Sequence, residues 1–269
     1  MMDISGKPMF AHVFERTWRA ETIDQIVVAT TIDPSDDPVV DFCSQHNFPF
    51  YRGSLFDVLD RYYHAALIFN PDTIVRITAD CPIIDPEVID RTVNAFWGIR
   101  KPQDVELSIR ASQRSNNPIW TNTIGMNISK DEKLEAYDFT TNRLPPPWGR
   151  TYPVGLDTEV CSMNNLEIAW REATEPHQRE HVMPYFYDHL ERFRVLLVNH
   201  DPDYGKLRWT VDTSADLELI RLIFSSFPGR NNFSWTEILN LFSNNPELGK
   251  INAGVKPKNY LQIDHRIDE

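Results

Sequence analysis

The sequence predicts an α/β fold with a mostly parallel sheet covered by helices on both faces. Its first hundred residues alternate helix-period and strand-period segments, the pattern that parallel strands and crossover helices require. The strand segments are rich in β-branched residues and stop at proline, as in Thr73 to Thr78 ahead of Pro82 and Pro86. Composition agrees, with 41% hydrophobic and 25% charged residues over 269 positions, enough to bury one large core. We read 1–252 as a single domain, with 98–149 an insertion or flap and 253–269 a tail with too few apolar residues to pack tightly.

Taken in order, Pro8 suits a helix start, and Met9, Val13, Phe14 and Trp18 recur at helical spacing. Gln25 to Thr31 reads as a buried strand. A short helix over Asp36 to His46 carries Pro38 in its first turn, and a brief strand follows at Phe48 to Tyr51. Phe56 to Phe69 is amphipathic and predicts a helix; the strand from Thr73 and a helix over Pro86 to Trp97 complete the alternation. From Gly98 to Gly149 the pattern weakens through polar clusters and the run Pro145-Pro146-Pro147. Order returns with an alternating segment over Val154 to Val160 and helices over Asn164 to Ala173 and Gln178 to Leu190. A strand at Arg194 to Val198 and a helix over Ala215 to Phe227, capped near Thr213 or Ser214, follow.

Formal net charge is −12, with 27 Lys and Arg against 39 Asp and Glu. A long polyanion would be repelled unless charge were strongly segregated, so nucleic acid is not the expected partner. A single nucleotide is compatible, because a metal ion and a few local cations can offset its phosphates. No apolar run approaches the roughly 20 residues that span a bilayer, which predicts no membrane partner. Cys43, Cys81 and Cys161 lie far apart without CxxC spacing, consistent with a reducing, cytoplasmic setting.

Two carboxylates stand where strand-like segments run out. Asp80 ends Arg76-Ile77-Thr78-Ala79-Asp80, and Asp212 ends Leu207-Arg208-Trp209-Thr210-Val211-Asp212. Ligands bind at the carboxyl ends of strands in open α/β sheets. Magnesium prefers one or two protein carboxylates plus substrate phosphates, so such a pair suits Mg²⁺. The competing reading makes Asp80 a turn residue and Asp212 the cap of the helix that follows.

The chain also resembles the CMP-sugar synthetases, cytidylyltransferases of the CMP-ketodeoxyoctonate and acylneuraminate kind, and within them the SpsF-type spore-coat polysaccharide branch. The resemblance rests on Asp3-Ile4-Ser5-Gly6-Lys7-Pro8-Met9, on Tyr51-Arg52-Gly53-Ser54 with Asp57 to Tyr63, and on Arg76 to Pro86. It continues through Tyr152 to Val160, Arg179-Glu180-His181-Val182, and Leu207 to Thr213 with Asp216-Leu217-Glu218. It implies a nucleotide-diphosphosugar-transferase-like, Rossmann-like fold. It also implies Mg²⁺-dependent transfer of CMP from CTP to the hydroxyl of an acidic keto-deoxy or sialic-like sugar, with release of pyrophosphate. Under it, Asp80 and Asp212 are the metal-binding and catalytic aspartates. Arg52, Ser54, Asp57 and Arg61 border the nucleotide, although Arg61 could equally pair with Asp57 along one helix. Asp157 and Glu159 contact the acceptor sugar, and on alternation both share one strand face. Arg208 can meet phosphate or carboxylate with its fork, or simply lie along the surface. The resemblance also suggests a homodimer.

The family's nucleotide site opens with a first strand and a loop containing glycine, arginine and lysine, ahead of the block matched by Asp3 to Met9. The sequence as given starts after that segment, so the expectation is a sheet short of its first strand and a site short of phosphate-binding amides. Two alternatives stay open: a nucleotidyltransferase using another nucleoside triphosphate, and a non-catalytic sugar-binding or assembly subunit.

Overall fold

Helices and strands form in the first half of the chain where periodicity and capping residues demand them. The computed structural model describes residues 1–98, 105–111, 118–123, 137–256 and 259–263. A two-residue hairpin, β1 (Asp3–Ile4) against β2 (Lys7–Pro8), leads into α1 (Met9–Thr17), with Pro8 as its N-cap. β3 (Val28–Thr31), α2 (Asp37–His46) and β4 (Phe50–Gly53) make a βαβ unit whose strands pair in parallel. α3 (Val58–Phe69) starts at Asp57, whose carboxylate accepts from Asp60 N, and Asn70 ends it in the left-handed conformation. β5 (Thr73–Arg76) follows, and α4 (Pro86–Phe96) is capped by Asp85.

The expected mostly parallel sheet is mixed. Six strands lie in the order β5, β9 (Glu159–Ser162), β8 (Phe139–Thr141), β10 (Val195–Asn199), β6 (Val105–Ala111), β7 (Pro118–Thr123). Only β8 with β10 runs parallel in it; the other four pairings are antiparallel. β5 does not join the strands that precede it. It pairs with β9, which arrives from the second half of the chain in the opposite direction. Gly98 to Gly149, expected to be an insertion or flap, contributes β6, β7 and β8 to this sheet; its other residues between 99 and 136 lie outside the described residues.

β10 is buried on both faces. Successive β10 residues divide between two cores, Val195 and Leu197 toward α3, α5 (Met163–Glu172) and α7 (Pro184–Asp188), Leu196 and Val198 toward α8 (Ser214–Ser225) and α9 (Trp235–Asn244). The helix expected over Gln178 to Leu190 is two pieces, α6 (Pro176–His181) and α7. Buried Val182, at φ +72°, turns the chain between them, and Pro184 cannot donate the main-chain bond that would continue α6. The tail is not loose where it is described: Tyr260 packs beside Tyr187 and His177, and the Gln262 carbonyl meets His181.

Between β3 and β5 runs a cleft of about 700 Å³, lined by Val28, Ala29, Arg61, Val75, Ile77 and Ala79 among others. Among the described residues each strand has a ladder partner on one side only, β4 for β3 and β9 for β5. Amides held between two strands open only with the whole sheet, whereas those on an unpaired edge open locally. Hydrogen exchange should therefore find amides of β8 and β10 the slowest in the chain. Cleft-edge amides of β3 and β5 should exchange on the order of 100-fold faster or more. Equal protection in both sets would show that the cleft edges are covered in solution.

Candidate functional site

Three segments outside the sheet ladder converge beyond the end of β5. Trp209 N donates to Val154 O at 2.7 Å, Val154 N to Leu207 O at 2.9 Å, and Val211 N to Asp80 O at 2.9 Å. The approach at Gly155 allows no side chain, because a Cβ there would lie 2.6 Å from the Trp209 carbonyl carbon, and its φ of +104° disfavours one as well. These bonds put Asp80 and Asp212 on adjacent strands of chain, 132 positions apart in sequence.

Asp80 lies in a turn, with Cys81 N donating to Thr78 O at 3.3 Å, while Asp85 caps α4. The Asp80 carboxylate takes the Thr78 hydroxyl on Oδ1 and the Thr210 hydroxyl on Oδ2 at 3.1 Å, leaving further lone pairs on both oxygens. Asp212 does not cap α8; Thr213 does, in a reciprocal capping box with Asp216. Asp212 is 37% exposed and held by Nη2 of Arg208. Arg208 is thus neither a free fork nor a surface side chain: it joins Asp212 to buried Asp216, with Nε 2.9 Å from Asp216 Oδ1. Burial alone would lower the Arg208 pKa, but its bonds to Asp216 and Asp212 leave it raised.

Asp216 organises this corner. It accepts from Asp212 N, Thr213 N, the Thr213 hydroxyl, Arg208 and Asn252 Nδ2, the last at 2.8 Å. Burial pushes its carboxyl up, yet the bonds from Arg208, Asn252 and Thr213 outweigh that and lower it from 3.8 to about 2.

Of the residues expected around the nucleotide, Ser54 bonds both Asp57 and Arg61, while Arg52 bonds other segments. Arg52 donates to Thr31 O and Asp33 O and pairs with Asp37 at 2.8 Å. Ser54 Oγ accepts from Asp57 N, and Asp57 is gripped through both oxygens by Arg179 rather than by Arg61. Arg61 donates to Ser54 O at 2.8 Å, and its buried Nε has no hydrogen-bond partner. Burial lowers its pKa. Arg61 lines the cleft that also reaches Thr78 and Ala79, whereas Arg52, Ser54 and Asp57 do not line it.

Asp157 and Glu159 do face one side. Glu159 opens β9 and Asp157 precedes it, and Arg143 Nε lies 3.8 Å from each. Arg150 binds both oxygens of Asp157, and Arg76 binds Glu159. Arg76, four residues before Asp80, pairs with Glu159 across the β5–β9 ladder and so brings this cluster toward Asp80.

Sequence reasoning did not single out Thr78, Thr210, Arg76, Arg143 or Arg150. The repeated pattern Thr78-x-Asp80 and Thr210-x-Asp212 was the available signal for the threonines. Nothing local marks the arginines, which meet their partners only in the fold. Magnesium fits the aspartates in one respect: the Val211 N to Asp80 O bond brings their segments together, and Mg²⁺ is commonly held by one or two carboxylates plus substrate phosphate oxygens. No helix among the described residues is long and apolar enough to cross a membrane.

A model of the family described as cytidylyltransferase matches residues 1–138. An uncharacterized protein of Methanocaldococcus jannaschii is 30% identical over 267 residues, 98% of this chain and 91% of that protein. The spore coat polysaccharide biosynthesis protein SpsF of Bacillus subtilis is 26% identical over 83% of this chain and 77% of its own length. The 3-deoxy-manno-octulosonate cytidylyltransferase of Brucella anthropi is 26% identical over 83% of this chain and 88% of its own. Among solved structures, a cytidylyltransferase from Leptospira borgpetersenii superposes with a TM-score of 0.73 at 24% identity, covering 96% of this chain and 91% of that one, a likeness of fold.

Asp216→Ala should cost about 3–5 kcal/mol of stability, because it strands Arg208 and several donors at once; chemical denaturation measures this. With a folded pKa near 2 against 3.8, ionised Asp216 stabilises the protein fully above about pH 4, and that contribution is lost as pH falls toward about 2. The melting-temperature gap between wild type and Asp216→Asn should therefore shrink across that window. A gap unchanged between pH 6 and pH 2 would remove the assigned charge role.

Proposed function

The chain belongs to the cytidylyltransferase family, and from that premise we propose that it transfers CMP from CTP to a hydroxyl of an acidic sugar destined for surface polysaccharide. The observation that carries this reading is the bond from Val211 N to Asp80 O, which sets the segments of Asp80 and Asp212 side by side, with the Asp157 and Glu159 cluster brought toward Asp80 across the β5–β9 ladder. The names borne by two relatives, a spore coat polysaccharide protein and a 3-deoxy-manno-octulosonate cytidylyltransferase, agree with it.

In this reading the acceptor hydroxyl oxygen bonds the α-phosphorus while the bond from that phosphorus to pyrophosphate breaks. No covalent enzyme intermediate is needed, so the protein's task is to position the reactants and offset charge. A magnesium ion held by Asp80 and Asp212 would supply phosphate-charge neutralisation and polarisation of the group under attack. Thr78 and Thr210 fix the Asp80 carboxylate in one orientation before substrate arrives, and Arg208 does the same for Asp212. Asp157 and Glu159 carry carboxylate oxygens that can accept from sugar hydroxyls. Arg61, with an unused buried Nε on the cleft, is the nucleotide-side cation of the group Arg52, Ser54, Asp57 and Arg61.

Pyrophosphate release should appear with CTP, Mg²⁺ and a keto-deoxy sugar acid, and be far weaker with the other nucleoside triphosphates. Asp80→Asn and Asp212→Asn should each lower the rate on the order of 100-fold or more while leaving the melting temperature close to wild type. Absence of both nucleotide binding and turnover in the wild-type chain would sink the transferase reading. Unchanged rates in the two variants would return both aspartates to structural roles.

A further inference from the structure

The cleft between β3 and β5 is walled as a place inside a sheet is walled. Two of its sides are strand edges with main-chain groups turned inward. Val28 N donates to Pro49 O at 2.8 Å and Ile32 N to Gly53 O at 3.0 Å, so alternate residues bond toward β4 and Ala29 between them turns its N–H and C=O to the cleft. Met163 N donates to Asp72 O at 3.0 Å, and by the same alternation Ile74 bonds toward β9 while Thr73 and Val75 turn theirs away from it. The other two walls are helices. Ile74 packs against the core that holds Leu59 and Tyr63 of α3, Val75 and Ile77 against the one that holds Val13 of α1 and Val93 of α4, so these helices cover opposite faces of β5. Val58 of α3, Val13 and Val93 all line the cleft.

Strand edges on two sides and helices on the other two are the surroundings of a central strand in an α/β sheet. Val28, Ala29 and all four residues of β5 are only half-buried, whereas all five of β10 are buried. We propose that this cleft is a strand-acceptor site, which takes up from another polypeptide one extended run of apolar residues and bonds it to β3 on one side and β5 on the other. Every described strand of the chain already pairs elsewhere, so none is left over to fill it. Neither flanking strand carries the lysine or proline that commonly guards an open edge. Because both helix walls are apolar, the incoming run should be apolar throughout rather than alternating. Edges of four residues each fit a run of about five, roughly 17 Å long. Asp24 and Asp72 offset Arg61 and Arg76 along the lining, and Arg76 is already bonded to Glu159, so the lining as a whole calls for a neutral occupant. Main-chain pairing would supply the affinity, as in other cases of strand addition, and the helix walls the selection of side chains.

The test is calorimetric titration of the full chain with a blocked peptide of alternating valine and isoleucine, flanked by lysines for solubility, together with amide hydrogen exchange. The peptide should bind. At about 100 times its dissociation constant, the Ala29 and Val75 amides should exchange ~100-fold more slowly, since they would open only when it leaves. Two further peptides carry N-methyl groups on one or the other alternate set of amides. Successive residues of a strand bond to opposite sides, so each removes the donors facing one edge, and each should bind ~10-fold more weakly or worse. Weakening by only one of them would reduce the site to a single edge and overturn insertion between two. Absence of binding, or equal binding of all three peptides, would overturn it as well. Ala29 and Val75 amides already protected in the chain alone would show that the chain fills the cleft itself, and protection by CTP with Mg²⁺ instead of peptide would make it a nucleotide site; either result removes the strand-acceptor assignment.

Discussion

Three main-chain hydrogen bonds through Val154, Trp209 and Val211 hold the site together, and they do so outside any regular strand. Without a ladder to continue them, they need support from side chains. Gly155 removes the Cβ that would separate the two backbones, Trp209 is fully buried behind them, and Asp216 ties the end of the segment to Arg208, Asn252 and the first turn of α8. Buried Asp216 is costly by itself, and its five kinds of donor are what make its charge tolerable. The position of Asp212 is therefore a consequence of Asp216: Arg208 reaches both.

The same economy of charge shapes the rest of the site. An acidic protein must gather cations locally before it can accept an anionic substrate. Arg76, Arg143 and Arg150 are gathered around Asp157 and Glu159 by β5, by the turn after β8 and by the approach to β9. Elsewhere Arg179 secures Asp57 and Arg52 secures the turn after β3, so these arginines are committed to holding neighbouring segments. The adjoining cleft between β3 and β5 runs from Arg61 to Ala79, and its two flanking strands each offer an unpaired edge. The helices that cover this region are positioned by buried polar contacts too: Arg16, fully buried, donates to Ile84 O and Phe233 O and so ties α1 to the cap of α4 and the start of α9.

Much of the fold was legible. Every helix from α1 to α5 and α8 lies within a few residues of its expected span, because amphipathic period and capping residues are local properties. α9 was missed although Ser234 and Glu237 form a capping box at its start, a signal of the same local kind. Strand order was not legible. β8 is three residues long, too short to show a period, and it becomes a central strand only because β9 and β10 arrive on either side of it.

By itself the sequence determined the α/β class, the two aspartates at segment ends and the likeness to a cytidylyltransferase, since each depends on composition, local period or ordered motif. The tertiary structure alone decided that the segments of Asp80 and Asp212 are neighbours, that Arg208 joins Asp212 to Asp216, and that Arg143 stands between Asp157 and Glu159. Those facts depend on chain segments far apart in sequence meeting at hydrogen-bonding distance. No local pattern encodes such a meeting, because the energy that enforces it comes from burying both partners together.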